Sequence, residues 1–281
     1  MSGPPFAVAE APSIRPMPAP RSPADLPARL PARRPTVMAP ANATLLERVD
    51  LTEAMAIFRV RPDDGPRPFA PGQYLSLGLE ISGPIVQRPY STASAPGSVE
   101  LEFLIRRVSG GTFTPALWAT RAGARMWLGR AKGTFTLRGA DGRQPVFIAT
   151  GTGLAPFVAM LRAAGDRPHR PPAVVVHGVS HAPELAYHGE LSSLAAAGHI
   201  AYLPTVSRPA HPANAAWPGA VGRVGDTLAD AVEDGLSDPA ACVAYLCGNP
   251  GMIGAASAVL AGLGVLAEAI VTERYWEGAS T

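Results

Sequence analysis

The chain is poor in cysteine and lysine, and the shortage of cysteine excludes several kinds of site. Its 281 residues include two cysteines, Cys242 and Cys247. Two thiols cannot build a disulfide framework, a four-cysteine zinc site or a cysteine-ligated iron–sulfur cluster within the chain, so no metal centre is expected. Lys132 is the only lysine among 24 basic residues, a skew that follows from GC-rich coding and carries no functional reading. Acidic residues number 22, which leaves a net charge of +2, too little to imply a nucleic-acid partner. No apolar run approaches the ~18 residues of a membrane span. A reduced, cytoplasmic protein is the expectation, as a monomer.

Proline and apolar residues are plentiful. Hydrophobic residues make up 47% of the chain, ample for a packed core, and 11 of the 31 prolines fall in residues 1–40. Repeated proline removes donors and blocks helices, so residues 1–40 read as a disordered tail. From Asn42 the pattern has period two. Leu45–Val49, Ala54–Val60, Tyr74–Leu79, Ile81–Gln87, Val99–Ile105, Arg125–Leu128 and Thr134–Leu137 read as strands, with one helix at Pro115–Ala119. Strands at this spacing predict a small antiparallel barrel over 41–140. Beyond the turn Gly139-Ala140-Asp141-Gly142, strands alternate with helices. Val146–Ala149, Ala173–Val176, Ile200–Val206, Val243–Leu246 and Ala269–Thr272 are the strands. Ala155–Ala164, Pro183–Ala197, Asp226–Glu233 and Met252–Leu263 are the helices. Residues 141–281 are therefore expected to form an α/β domain with a doubly wound parallel sheet.

Three short motifs carry chemistry. Arg88-Pro89-Tyr90-Ser91 ends a barrel strand, and an arginine beside an aromatic suits a ligand with both a phosphate and a flat ring; alone, it reads as a structural turn. Thr150-Gly151-Thr152-Gly153-Leu154-Ala155-Pro156 joins the first parallel strand to its helix, where backbone N–H groups can approach a pyrophosphate. It lacks the lysine of a P-loop and equally fits a tight structural turn. Cys247-Gly248-Asn249-Pro250-Gly251-Met252 follows a later strand, at the edge of an open sheet where ligands sit; alone, Cys247 reads as a small core residue.

In this order and spacing the three motifs resemble those of the ferredoxin–NADP reductase family. Pro71-Gly72-Gln73-Tyr74 and Gly111-Thr112-Phe113-Thr114-Pro115 are similar to two further family segments, and the likeness spans residues 42–276. The ending Thr272-Glu273-Arg274-Tyr275-Trp276 resembles the bacterial members that close on an aromatic pair. The resemblance implies a Greek-key FAD barrel followed by an NADP domain. It places Tyr90 on the isoalloxazine, Arg88 with Pro89 at the pyrophosphate and Ser91 near flavin N5. Thr112, Phe113 and Thr114 would form a second phosphate loop. NADP would lie across Gly151, Thr152, Gly153, Cys247, Gly248 and Met252, with Cys247 and Glu273 beside the reacting rings. Tyr275 would cover the flavin, and Trp276 would pack near its adenosine.

Ser207 and Arg208 follow the third parallel strand, where the ribose 2′-position is read. A hydroxyl with an arginine suits a 2′-phosphate, and Arg223 resembles a second family arginine for it. The implied activity is hydride transfer between NADPH and FAD, with electrons passed singly to ferredoxin or flavodoxin. The alternatives are a reductase component feeding an oxygenase and a non-catalytic electron-transfer subunit. Because residues 1–40 carry neither motif nor apolar period, a chain beginning at Ala41 should keep its FAD and reduce ferricyanide with NADPH at the full-length rate. Flavin release on truncation would assign the tail a structural role.

Overall fold

A computed structural model describes residues 40–138, 142–165, 171–236 and 238–275. The proline-rich segment 1–39, the expected linker at 139–141 and Trp276 lie outside the described residues.

The first half forms β1 (Ala43–Thr52), β2 (Met55–Pro62), β3 (Tyr74–Glu80), β4 (Ile85–Ser91), β5 (Leu101–Arg106), α1 (Phe113–Ala119) and β6 (Arg125–Leu128). The strands are antiparallel, in the order β4-β3-β6-β1-β2-β5. The sheet closes on itself where Thr92, just past β4, bridges Phe103 of β5 and Ala93 N–H donates to the Glu102 carbonyl at 2.9 Å. Alternation puts Ala56, Phe58 and Val60 of β2 inside the barrel with Leu45, Leu77, Phe103 and Leu117. Met55 and Ile57, on the other face of β2, join a second apolar cluster that the α/β half supplies. This strand is thus apolar on both sides and welds the halves together.

The second half contains β7 (Gln144–Thr150), α2 (Ala155–Ala164), β8 (Ala173–Val179), α3 (His188–Ala196), β9 (Ile200–Val206), β10 (Ala220–Val221), α4 (Val224–Gly235), β11 (Cys242–Gly248), α5 (Pro250–Gly262) and β12 (Ile270–Arg274). Its sheet is parallel, in the order β10-β9-β8-β7-β11-β12. Phe147, Ala149 and Val175 face α2 and α3. Val146, Ile148, Val174 and Val176 face α4 and α5. Both faces are covered, as the near-continuous apolar strands require.

Two sequence expectations are corrected. Thr134–Leu137 joins no ladder; only Lys132 bridges Tyr74. Its Phe135 turns away from the barrel to pack against Phe157 and Tyr245, at centroid distances of 5.9 and 6.0 Å. Burying that ring in the seam takes the segment out of the sheet. The expected helix Pro183–Ala197 is split. A short 3-10 turn, Ala182–Glu184, comes first, and the Glu184 carboxylate accepts the N–H groups of Ser180 and His181 at 3.0 and 3.3 Å. Tyr187 then adopts a left-handed φ of 55° before α3 begins.

One arginine of α2 ties the halves together. Arg162 donates to Glu102 of β5 at 2.8 Å, to the Ala93 carbonyl at 3.0 Å and to both carboxylate oxygens of Glu190 on α3, and its guanidinium lies 5.0 Å from the Tyr187 ring centroid. Glu102 also accepts from Arg59 at 3.0 Å. Burial alone would raise the Glu102 carboxyl; the two arginines outweigh it and hold the group below its usual range. Replacing Arg162 by leucine strands Glu190 and half of this network. The expected loss is about 2 kcal/mol, between the exposed and buried ion-pair limits. The shift of the urea unfolding midpoint measures it, and no shift would mean that water replaces the guanidinium at no cost.

Candidate functional site at the sheet switch point

The strand order reverses between β7 and β11, and the crevice beyond the carboxyl ends of such strands is where an open parallel sheet binds ligands. β7 ends at Thr150 and enters a 3-10 turn, Gly151–Leu154, that runs into α2 with Pro156 in its first turn. Gly153 cannot be another residue. A Cβ there would stand 2.2 Å from the Cys247 carbonyl oxygen, so the turn rests on the end of β11. Past Gly248, Asn249 caps α5 by accepting the Gly251 N–H at 2.8 Å, and its own N–H donates to Thr150 Oγ1 at 3.2 Å.

β12 brings the chain end to this crevice. Cys247 pairs with Glu273 and Gly248 with Arg274, and Tyr275 N–H donates to the Gly248 carbonyl at 3.1 Å. Ser91, the last residue of β4, meets them from the barrel. The Tyr275 hydroxyl donates to Ser91 Oγ at 3.1 Å, and Ser91 Oγ donates to Glu273 Oε2 at 3.4 Å. Four residues separated by up to 184 positions thus converge, each foreseen from the sequence. Burial pushes the Glu273 carboxyl up to about 7, opposed by the Ser91 hydrogen bond. Burial also drives the Cys247 thiol and Tyr275 phenol well above their usual ranges, so both are neutral donors. Cys247 is no thiolate nucleophile.

The remaining foreseen residues divide by location. Arg88 and Pro89 are exposed on β4, and Arg88 donates to the neighbouring Gln87 carbonyl at 2.8 Å, with most of its donors still available. Tyr90 is half-buried, its ring 6.0 Å from that of Phe113. Thr112 precedes α1 and is exposed. Phe113 belongs to the barrel core. Thr114 spends its hydroxyl within the loop, accepting the Val108 N–H at 2.8 Å, which leaves the backbone to face a ligand. Ser207 follows β9, its hydroxyl donating to the Val179 carbonyl at 3.2 Å. Arg208 and Arg223 are exposed, without an ion pair among the described residues. Met252 packs on the apolar cluster beneath α4 and α5. Sequence reasoning missed the ion pair of Arg106 and Glu184, 3.0 Å apart across the seam, which brings Arg106 to the edge of the Gly151 turn. No local pattern announces a pair 78 residues apart.

A barrel and a doubly wound domain sharing one crevice define a flavin-dependent dinucleotide oxidoreductase. Residues 42–137 match an oxidoreductase FAD-binding domain, and residues 147–258 an oxidoreductase NAD-binding domain. Methane monooxygenase component C of Methylosinus trichosporium is 39% identical over 128 residues, 45% of this chain and 37% of that protein. Ferredoxin–NADP reductase B of Sorangium cellulosum (strain So ce56) is 32% identical over 215 residues, 74% of this chain and 85% of that protein. The crystal structure of a ferredoxin NADP+ reductase from Neisseria gonorrhoeae with bound FAD and NADP superposes with a TM-score of 0.73 at 25% identity, covering 84% of this chain and 98% of that one. The chain belongs to the ferredoxin–NADP reductase family. It spans well under half the length of the monooxygenase component and most of the length of the reductases. No helix among the described residues is long and apolar enough to cross a membrane.

The donors present fit both cofactors. Arg88 offers a free guanidinium edge next to a half-buried aromatic ring, which suits a flavin with its pyrophosphate, and the Gly151–Leu154 turn offers backbone donors at a helix start.

Glu273 makes the site sensitive to pH. Its native pKa, about 7, lies above the ordinary carboxyl value of 4.5, so the folded state binds the extra proton. The contribution is fully present below about pH 4.5 and is lost as pH rises through about 7. Glu273→Gln should therefore leave the thermal midpoint unchanged at pH 4 and raise it at pH 8, by about 2–4 °C for each kcal/mol of charge burial relieved. Equal shifts at both pH values would show that the carboxyl is ionised throughout.

Proposed function

We propose that the protein oxidises NADPH and passes the electrons, one at a time, to a small diffusible carrier, ferredoxin or flavodoxin. The observation that carries this reading is the meeting of Ser91, Cys247, Glu273 and Tyr275 at the junction of an FAD-binding and an NAD-binding domain. Bound FAD supplies the exchange between two-electron and one-electron chemistry. Everything else falls to the chain. Arg88 and Tyr90 hold the flavin on the barrel. The Gly151–Gly153 backbone holds the dinucleotide on the sheet. Ser91, fixed by Tyr275 and Glu273, presents a hydroxyl at the seam where the two meet. The neutral Cys247 thiol and the half-enclosed Tyr275 ring exclude water from that seam. Tyr275 also occupies space that a nicotinamide needs, so it acts as a displaceable cover.

NADPH rather than NADH is favoured by Ser207, Arg208 and Arg223 at the carboxyl edge beyond β9, where an NAD site usually carries an acidic residue. His181, near this edge, faces Glu184 at 3.9 Å and the His211 ring at 4.2 Å.

A second reading, reductase of an oxygenase system, is supported by the likeness to the methane monooxygenase component. Anaerobic stopped-flow with NADPH, followed by each candidate carrier, decides between them. Fast reduction of a free ferredoxin or flavodoxin supports the first reading, and turnover only with an oxygenase partner supports the second. Arg208→Ala with Arg223→Ala should cost NADPH about 1.5–3 kcal/mol of binding for each charge-assisted contact and leave NADH nearly unchanged. Equal losses for both coenzymes would move the two arginines out of the site.

A further inference from the structure

A buried imidazole that the chemistry above does not use is bonded to the glycine-rich turn. His177 lies on β8 with no exposed surface, between Ala149 of β7 and Pro204 of β9. Its Nε2 stands 3.1 Å from the Gly151 carbonyl oxygen. A carbonyl can only accept, so Nε2 carries the proton and Nδ1 is bare. Nδ1 is enclosed and has no hydrogen-bond partner among the described residues. Leaving a buried polar atom unpaired costs stability, and an apolar side chain would avoid that cost. Burial pulls the imidazole down to about 4, although the Gly151 carbonyl works the other way. It is therefore neutral across the physiological range.

Its bond reinforces the 3-10 turn in holding a peptide plane. Gly151 has a φ of 52°, and a glycine lets the peptide that follows it rotate with little steric hindrance. In a trans peptide the C=O and the next N–H point in opposite directions. The Gly151 carbonyl is drawn inward to His177, so the Thr152 N–H is directed outward from the core. It stands in the first turn of a helical segment, where N–H groups lack an acceptor within the helix. If that peptide inverted, a carbonyl oxygen would face the ligand in place of a donor. We propose that His177 is a positioning residue for dinucleotide binding, its neutral imidazole locking the Gly151–Thr152 peptide with a donor toward the pyrophosphate. The inference rests on the reading that a dinucleotide lies against this turn.

Calorimetric binding to the FAD-loaded protein at pH 7.5 tests it, with NADP+, NAD+ and adenosine 2′-monophosphate as probes. The last carries the 2′-phosphate and no pyrophosphate. His177→Leu should weaken NADP+ and NAD+ by the same factor, about tenfold or more, and leave adenosine 2′-monophosphate unchanged. His177→Gln, which keeps an amide donor on a longer stem, should recover most of the loss. Should the leucine variant fail to fold, His177→Asn, whose amide is too short to reach Gly151, replaces it in the comparison. Equal weakening of all three probes, or unchanged NADP+ binding, overturns the proposal. Failure of the underlying reading looks different and overturns both: the wild-type protein would bind NADP+ no more tightly than adenosine 2′-monophosphate.

Discussion

The backbone of the Gly151–Leu154 turn rests on the Cys247 carbonyl with no space for a side chain between them, and much of the molecule is arranged by that contact. It fixes how closely the first βα unit approaches β11, and so where α2 starts. From that start, α2 carries Arg162 to the barrel, where it meets Glu102 and the Ala93 carbonyl. The same contact sets the height of Cys247, and with it the register of Glu273 and Tyr275 on β12. A methyl group at position 153 would therefore displace the crevice, the α2 axis and the bridge between the halves together.

The electrostatics of the crevice follow from its construction as a seam. Neither half encloses Ser91, Glu273 or Tyr275 alone. Only the junction removes enough water to lift a carboxyl toward neutrality and to keep a thiol and a phenol fully protonated. Elsewhere along the junction, carboxylates of the same kind are held charged: Glu102 by Arg162 and Arg59, and Glu184 by Arg106 and two backbone N–H groups, in each case against the opposing pull of burial. Rigid ionic contacts at the rim and uncharged donors at the centre suit a site that handles hydride. Fixed charge near the reacting rings would bias one oxidation state over the other.

The fold was legible because its two periodicities are clean. β9 and α2 fall where apolar spacing puts them, since both are set by burial on a continuous sheet. The converging residues were legible through their motifs, which sit at strand ends where local geometry is demanding. Elements set by single side chains were not legible. Phe135 leaves the barrel for two rings far off in sequence, and the left-handed Tyr187 separates the turn that Glu184 caps from α3. The Arg162 bridge spans 60 positions to Glu102, and His177 acts on a carbonyl 26 residues away. Such contacts leave no periodic trace, because each depends on where the sheet has already placed its strands.

The two residues of β10 carry a consequence for self-association. A parallel sheet ending on a long strand would offer a row of unpaired backbone groups to any passing chain. Here the outermost strand is only Ala220–Val221, and the Trp217 indole N–H occupies the Ala220 carbonyl at 2.9 Å. β10 covers Thr205 and Val206 of β9, and Pro204 beside them has no N–H to offer a further strand. A redox protein with so much valine in its central sheet thereby presents little purchase for fibrillar growth at this corner of the sheet.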